Sequence, residues 1–302
     1  MTPIHTGWLL LRAMRPHQWT KNLLLFAGLF FAREIFHPHS VMLAMLGFLC
    51  FCMVSGSIYI LNDVIDRERD KIHPRKQHRP IASGQLPVRT ALLAAAVAVA
   101  AAFGGAWLIS PYFFMCAAAY GLMNVAYSLA LKNVFLIDTM IIAMGFTIRA
   151  VAGVIVLRTP EQMVPLTSWF VICVMFLSLL LAFCKRRSER VTLEVDAHDF
   201  RPVLAMYSVQ LMDRVISICA TGAILSYALY AAGMDHEAPS SADPWMMLTT
   251  IPFVMFGIFR YLHLVYNKQE GEAPEHVLVT DGPLLGCVVL WLMALGFVYF
   301  PQ

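Results

Sequence analysis

The stretch ILNDVIDRERDKIHPRKQHRPIASG, residues 60–84, places three aspartates and an asparagine at helical spacing directly after an apolar run. On a helix with 100° per residue, Asn62, Asp63, Asp66 and Asp70 fall within about 100° of one another. Carboxylates this close repel one another unless a cation lies among them. A hard divalent cation, which takes oxygen ligands and shares substrate phosphates, fits this pattern. The spacing therefore predicts a metal site at the end of this helix.

The residues that follow these acids supply the opposite charge. Arg75, Lys76 and Arg79 lie in a loop that Pro74 and Pro80 stiffen. Arginine binds phosphate oxygens through paired hydrogen bonds, and lysine binds them as a point charge. We interpret this loop as the phosphate-binding half of the same site. The alternative is a solvated helix end, in which the acids pair only with the bases of the same stretch.

A second charged stretch, CKRRSERVTLEVDAHDFRP, covers residues 184–202. Lys185 and Glu189 are four residues apart, so one helix face would present a base and an acid together. Arg186 and Arg187 either contribute to the same site or only mark the cytoplasmic side of a membrane.

These charges belong to a chain that is otherwise apolar. Of its 302 residues, 59% are hydrophobic and 14% are charged, and the mean hydropathy is +0.68. This composition excludes an ordinary soluble domain. Apolar segments of about twenty residues, long enough to cross roughly 30 Å of hydrocarbon as helices, recur along the chain. Helices are required because irregular backbone in lipid would leave its N–H and C=O groups unpaired.

We therefore predict an all-α polytopic membrane protein, a bundle of nine transmembrane helices. The predicted spans are residues 22–38, 41–62, 88–109, 112–131, 134–157, 166–185, 210–232, 244–266 and 283–300, each bound being approximate.

The positions of Lys and Arg predict the orientation. All but three of these 22 residues fall in alternate connections between the predicted spans, and such connections stay in the cytoplasm. The N-terminus is predicted to be cytoplasmic and the C-terminus extracytoplasmic, with a single membrane-embedded domain over residues 1–302. Residues 1–20 would form an interfacial segment, and the cytoplasmic loops at about 67–87 and 186–209 would cap the active site. The seven cysteines lie in or beside apolar spans, which predicts buried side chains rather than disulfides or a zinc site.

Several isolated polar residues lie at or within these spans. Lys21 precedes the first span, Tyr127 and Lys132 lie at the end of the fourth, and Asp138 begins the fifth. Arg149 is different because it lies well inside the fifth span, where an unpaired charge costs several kcal/mol. It should face a polar cavity, a carboxylate, backbone carbonyls or a substrate.

The N-D-x-x-D-x-x-x-D motif of residues 62–70, its basic loop and the R-P-I-A-S-G at 79–84 resemble the UbiA superfamily of intramembrane prenyltransferases. The predicted spans and orientation agree with this resemblance over essentially the whole chain. The resemblance implies a helical bundle around a lipid-accessible cavity, with the acidic motif holding Mg2+ on a diphosphate. Members that prenylate aromatic rings or haem carry a second motif, D-x-x-x-D, after the sixth span. This chain has K-R-R-S-E at residues 185–189 instead.

That departure, with R-P-H-Q-W-T-K-N at 15–22 and Y-S-L-A-L-K at 127–132, is similar to the branch of decaprenyl-phosphate phosphoribosyltransferases. The resemblance implies transfer of 5-phosphoribose from phosphoribosyl pyrophosphate to a polyprenyl phosphate lipid, with release of pyrophosphate. The enzyme would act at the cytoplasmic face of the cytoplasmic (inner) membrane, in cell envelope biosynthesis. Two alternatives stay open. One is a prenyltransferase that moves a polyprenyl chain from its diphosphate to an aromatic or other small acceptor. The other is a transporter for an anionic lipid or solute.

The resemblance also implies roles for individual residues. Asn62, Asp66 and Asp70 would bind Mg2+, and Asp63 would be a ligand through water or would orient one, so Asp63, Asp66 and Asp70 are the expected catalytic residues. The phosphates of the two substrates would be bound by Lys21, Arg75, Lys76, Arg79, Tyr127, Lys132, Lys185, Arg186 and Glu189. The expected partners are these substrates and the bilayer, not nucleic acid. Neither the length of the lipid nor the oligomeric state follows from the sequence.

Overall fold

The computed structural model describes residues 3–74, 76–159, 164–192, 202–234, 244–268 and 274–299. These residues are mostly helical, and no β-strand occurs among them. The α-helices are α1 (Pro3–Ala13), α2 (Ala27–Phe31), α3 (Pro38–Ile65), α4 (Arg67–Ile72), α5 (Val88–Ile109), α6 (Pro111–Leu129), α7 (Ile137–Ile155), α8 (Ser168–Thr192), α9 (Val209–Ala231), α10 (Pro244–Leu248), α11 (Ile251–Asn267), α12 (Pro274–Thr280) and α13 (Gly282–Tyr299). The 3-10 helices are Pro16–Phe26, Lys76–His78, Leu131–Asn133 and Pro202–Met206.

Eight of the described helical segments are long and apolar enough to cross a membrane. They are α3, α5, α6, α7, α8, α9, the segment Trp245–Asn267 and α13. The all-α prediction is confirmed for the described residues, and eight of the nine predicted spans coincide with these segments. The count of nine and the orientation of the termini stay predictions.

The first predicted span, residues 22–38, differs from the others. Its sequence forms the end of the 3-10 helix Pro16–Phe26 and the short helix α2, and the chain leaves the helix at Ala32. A 3-10 helix rises about 2.0 Å per residue, compared with about 1.5 Å in an α-helix, so residues 16–31 extend over roughly 30 Å. The segment therefore has the length of a membrane span without being one long α-helix.

Helix α3 carries the first residues of the acidic motif, Asn62 and Asp63, at its C-terminal end. It begins with Pro38, whose missing N–H is not needed in the first turn, and its 28 residues extend over roughly 40 Å. This exceeds the roughly 30 Å of hydrocarbon. The excess length lets Asn62 and Asp63 lie beyond the apolar part of the helix.

The described helices divide into two compact units. The first unit is Met1–Leu129 with Ile148–Val164, and the second is Ala130–Thr147 with Pro165–Gln302. The acidic motif belongs to the first unit, and the second charged stretch belongs to the second. The single domain over residues 1–302 stays a prediction.

Each unit has its own apolar core. In the first, a cluster that includes Leu9, Ile60 and Ile81 joins α1 to the end of α3 and to the loop after α4. In the second, a cluster that includes Leu180 and Met212 joins α8 to α9. Both cores lie close to a group of charged side chains.

Candidate active site

The acidic motif is almost one continuous helix with a break at Asp66. Helix α3 ends at Ile65, Asp66 has φ −87° and ψ 5°, and α4 begins at Arg67. The backbone hydrogen bonds Asp66 N–H to Asn62 O and Asp70 N–H to Asp66 O, both 2.9 Å, bridge the break. Because helical hydrogen bonding persists, Asp63 and Asp70, two turns apart, lie on a common face.

One guanidinium joins these two carboxylates. Arg79 Nη1 lies 2.6 Å from Asp70 Oδ2 and 3.1 Å from Asp63 Oδ1. Asp63 and Asp70 are each only 2% exposed, so both charges require such a partner. Lys76 Nζ approaches Asp70 Oδ1 to 4.0 Å. Two of the predicted acids, Asp63 and Asp70, therefore meet two of the predicted bases, Arg79 and Lys76, in an ion-paired cluster.

The loop that carries Arg79 is anchored by its apolar residues. Ile81 and Leu86 are 0% and 1% exposed and pack in the cluster of α1 and α3. The turn after Arg79 is closed by hydrogen bonds from Ser83 N–H to Arg79 O and from Leu86 N–H to Pro80 O. Arg79 is thereby held beside the acids, whereas Arg75 lies outside the described residues.

Arg15 is a residue of this site that the sequence analysis did not single out. Its Nη2 donates to Asp63 Oδ1 at 2.5 Å, and its guanidinium lies 5.1 Å from the centre of the Tyr59 ring. Arg15 precedes the 3-10 helix Pro16–Phe26 and has left-handed backbone, φ 54° and ψ 68°. Such backbone is strained in a residue other than glycine and is common at functional sites. The sequence signal was its place at the start of R-P-H-Q-W-T-K-N.

Glu68 is the acid of this stretch that points away from the cluster. It is exposed and pairs with Lys71 at 2.8 Å, and this hydrogen bond lowers the pKa of its carboxyl. It is a solvated helix acid.

The oxygen donors of the first unit could contribute to a divalent-cation site. Asp63 and Asp70 already converge on one cationic nitrogen, and Asn62 and Asp66 are partly buried in the same turns. Among the described residues, no group of three or more His, Cys, Asp or Glu side chains is arranged to hold a metal ion. Magnesium commonly takes one or two carboxylates and completes its shell with water and substrate phosphates. The few carboxylates of this stretch are compatible with such a site, in which water and substrate phosphates complete the shell of the ion.

The remaining candidates of the first unit, Lys21 and Tyr127, are both partly buried. Lys21 lies within the 3-10 helix Pro16–Phe26, next to Asn22, which is 1% exposed. Tyr127 lies near the end of α6.

The second unit contains a buried polar cluster around Asp138. Asp138 is 0% exposed, accepts from Arg186 Nε at 2.9 Å and accepts from Tyr207 Oη at 2.6 Å. Tyr207 Oη also accepts from the N–H of Leu136, whose backbone is left-handed with φ 66°. Burial and the hydrogen bond to Asp138 raise the pKa of Tyr207 to about 12, so the phenol stays protonated and donates to the carboxylate.

Arg186 and Lys185, adjacent on α8, have different surroundings. Arg186 is 2% exposed, and its Nη1 also pairs with Glu189 Oε2 at 2.6 Å, so two carboxylates neutralise it. Lys185 is partly buried and makes no hydrogen bond or ion pair with any residue that the structure describes. Of the two, Arg186 is the one whose charge is neutralised by described carboxylates. Lys132, also predicted for this role, lies partly buried in the 3-10 helix Leu131–Asn133.

Arg187 takes part in a further contact of the second unit. Its Nε donates to Asp213 Oδ1 at 2.6 Å, and its guanidinium lies 4.1 Å from the centre of the Tyr266 ring. Tyr266 Oη donates to the same Asp213 oxygen at 2.9 Å. The contact joins α8, α9 and α11.

Comparison with known proteins shows the family to which the chain belongs. The sequence matches the UbiA prenyltransferase family over residues 22–279. It is 31% identical over 301 residues to a decaprenyl-phosphate phosphoribosyltransferase of Mycolicibacterium smegmatis, covering 96% of this chain and 92% of that protein. It is 30% identical over 290 residues to the protein of the same name from Corynebacterium glutamicum, covering 95% and 85%.

Solved structures show the same fold. A UbiA homologue from Archaeoglobus fulgidus bound to GPP and Mg2+ superimposes with a TM-score of 0.71 at 19% identity, covering 96% of this chain and 99% of that chain. The matched family covers most of the chain, and the relatives of similar length carry transferase names. The chain is therefore a membrane-embedded transferase that belongs to the UbiA prenyltransferase family.

Proposed function

We propose that the protein transfers 5-phosphoribose from phosphoribosyl pyrophosphate to a polyprenyl phosphate lipid in a Mg2+-dependent reaction that releases pyrophosphate. An oxygen of the lipid phosphate would form a bond to the anomeric carbon of the ribose. The bond from that carbon to pyrophosphate would break, and the leaving group would take the electron pair.

The observation that carries the proposal is the pairing of acids with an excess of bases in the first unit. Asp63 and Asp70 are held by Arg79 and Arg15, with Lys76 nearby. A site that must bind a pyrophosphate with its metal needs both kinds of charge. Further support comes from the names of the two relatives and from K-R-R-S-E in place of a second aspartate motif.

The residues of the first unit divide between the two charges. Asn62, Asp66 and Asp70 would hold Mg2+, with Asp63 as a ligand through water or as the group that orients that water. When bound, Mg2+ would stabilise the negative charge that develops on the departing pyrophosphate. Arg79, Lys76, Arg75 and Lys21 would bind the phosphate oxygens and fix the donor.

The acceptor needs less assistance. A lipid phosphate is anionic at neutral pH, so its oxygen attacks without a strong general base. Lys132, Lys185 and Tyr127 stay candidates for phosphate contacts, and fixed positive charge would offset the repulsion between two anionic substrates.

The test uses purified protein with phosphoribosyl pyrophosphate, polyprenyl phosphates of several lengths and Mg2+. We expect release of pyrophosphate and a lipid product heavier by one phosphoribose, detected by mass spectrometry. Asp70→Asn should lower turnover by about 100-fold or more, because it removes a charge on which the metal depends. The matched control is Glu68→Gln in the same helix, which should retain wild-type turnover. Absence of pyrophosphate release with every lipid would refute the proposal.

A second candidate keeps the fold and changes the donor to a prenyl diphosphate. The observation in its favour is the structural similarity to a UbiA homologue bound to GPP and Mg2+. Glu189 and the acids of the second charged stretch would then replace the missing aspartates. Protection against thermal unfolding by a prenyl diphosphate, but not by phosphoribosyl pyrophosphate, would favour this alternative.

A further inference from the structure

Arg149 is a buried cation inside a membrane-spanning helix, within the first unit. It lies in α7 and is only 6% exposed. Its Nε donates to Asn22 Oδ1 at 2.8 Å and its Nη2 donates to Tyr120 Oη at 2.6 Å. The guanidinium also lies 4.6 Å from the centre of the Tyr120 ring. A charge at such a position is costly and usually has a functional reason.

The side chain of Asn22 connects Arg149 to α3. Its Oδ1 accepts from Arg149, and its Nδ2 lies 3.3 Å from both Ser55 Oγ and Cys52 Sγ. Asn22 is 1% exposed, so its amide is held entirely by protein. One side chain of the 3-10 helix Pro16–Phe26 therefore fixes that helix to α7 and to α3.

Two glycines bring the same segments into backbone contact. A methyl group on Gly153 would collide with the backbone of Leu25, and one on Gly28 would collide with the backbone of Gly153. Such close approach is typical of helix interfaces in membranes. The 3-10 helix and α2 therefore pack directly against α7, which limits how far they can shift.

The segment fixed in this way carries basic residues of the candidate active site. Arg15 stands at its start and pairs with Asp63, and Lys21 is the neighbour of Asn22. Asp63 lies eight residues, about two turns, after Ser55 on α3. A shift of the 3-10 helix relative to α3 would therefore move Arg15 away from Asp63.

We propose that Arg149 is a positioning residue: through Asn22 it sets the register of the 3-10 helix Pro16–Phe26, and thereby holds Arg15 and Lys21 where a pyrophosphate group binds. This inference rests on the proposed function in one respect, namely that the first unit binds a pyrophosphate-bearing donor. Arg149 itself does not contact the reacting atoms.

The principal variant is Arg149→Met, which removes a buried charge and keeps an apolar side chain of similar length. It leaves no unpaired charge, so the protein should fold, and its thermal transition should fall only by the few degrees that an unpaired Asn22 Oδ1 costs. We expect the KM for phosphoribosyl pyrophosphate to rise on the order of tenfold while kcat stays within about threefold, since donor binding is weakened and the reacting groups are unchanged. The dissociation constant for pyrophosphate with Mg2+ should rise by the same factor.

Variants of Asn22 separate positioning from a general loss of stability. Asn22→Leu should raise KM as Arg149→Met does. Asn22→Asp should keep KM close to the wild-type value, because a carboxylate still accepts from Arg149. The double variant Arg149→Met/Asn22→Leu should be no worse than the stronger single variant, because both remove the same contact. The matched control is Arg158→Met, whose Nε donates to the backbone O of Val164, and it should leave KM and pyrophosphate binding unchanged.

The outcomes distinguish this inference from the proposed function. If the wild type binds pyrophosphate with Mg2+ but has no activity with phosphoribosyl pyrophosphate, the proposed function fails, and the binding constants of the variants still test Arg149. If folded Arg149→Met keeps wild-type KM and pyrophosphate binding, the positioning role is overturned. Effects of Arg149→Met and Asn22→Leu that multiply in the double variant would also overturn it, because the two residues would then act independently.

Discussion

Arg79 pairs with Asp70, an expected metal ligand, and with Asp63, which is expected to be a ligand through water or to orient one. A metal bound at Asp70 would have to displace this guanidinium, and the displaced side chain would then be available to a phosphate. Metal binding would release Arg79 for a phosphate, and phosphate binding would release the acids from Arg79 for the metal. Metal and pyrophosphate should therefore bind cooperatively.

Arg79→Gln tests this coupling. In the wild type, Mg2+ and pyrophosphate together should raise the thermal transition by more than the two single effects added, as follows from linkage. In Arg79→Gln we expect Mg2+ alone to stabilise the protein more and the cooperative excess to fall, measured by thermal unfolding in detergent. Arg69→Gln is the control, because Arg69 is an exposed base of α4, the helix that carries Asp70. Equal cooperativity in Arg79→Gln and wild type would show that Arg79 does not couple the binding of metal to that of pyrophosphate.

Lys185 and Arg186 should respond to substitution in opposite ways. Arg186→Met leaves Asp138 buried without its cation, which should lower the stability by about 3–5 kcal/mol. Lys185→Met breaks no ion pair with a described residue, so the folded protein should persist while the KM for the polyprenyl phosphate rises. Denaturation curves and steady-state kinetics on both variants provide the measurement. A stable Arg186→Met protein, or an unstable Lys185→Met protein, would show that the two assignments are wrong.

At the scale of single residues, the sequence predicted the acids and Arg79 because they share one short stretch. It did not single out Arg15, which is 48 residues away from Asp63, because no local pattern reveals that contact. It could not separate Lys185 from Arg186 either, because only the packing of α8 decides which side chain is buried.

At the scale of elements, the start of α13 is fixed by one acid. Asp281 accepts from Arg260 Nε at 3.0 Å and Nη2 at 2.8 Å, and its Oδ1 also accepts from the N–H of Leu284. The hydrogen bonds from Arg260 are the main reason that the pKa of Asp281 falls to about 2. The ion pair joins α11 to α13.

This pair should make stability depend on pH in acid. A carboxyl with a lowered pKa contributes stability above about pH 4, its ordinary range, and loses that contribution as the pH falls towards 2. Asp281→Asn can keep the cap of α13 but loses the charge. Its thermal transition should lie below that of the wild type at pH 7, and the difference should shrink in thermal scans between pH 5 and pH 3. A difference that stays constant over this range would exclude the ion pair as its cause.

The sequence predicted the long helices well because each is an uninterrupted apolar segment, and length alone identifies it. It predicted residues 22–38 as one span of the same kind, whereas the structure forms a 3-10 helix followed by α2. The difference has a tertiary cause. The Asn22 side chain and the backbone of Leu25 are held against α3 and α7, and these contacts favour a geometry that local propensity does not indicate.

At the scale of the whole molecule, the family and the membrane helices are established, and the orientation can be tested directly. Reporter proteins fused to the termini should place the N-terminus in the cytoplasm and the C-terminus outside it. Alkaline phosphatase should be active only at the C-terminus, and green fluorescent protein should fluoresce only at the N-terminus. Fusions into the loop of residues 67–87 should behave like the N-terminus. The reverse pattern would show that the distribution of Lys and Arg does not set the orientation of this protein.

The sequence by itself determined the membrane-spanning helical class and the acidic motif, because hydrophobic length and helical spacing are local properties. Only the tertiary structure decided which charges pair. Asn22 meets Arg149 across 127 residues, and Asp138 meets Arg186 across 48. A buried charge must find a partner, but helix packing decides which one it finds.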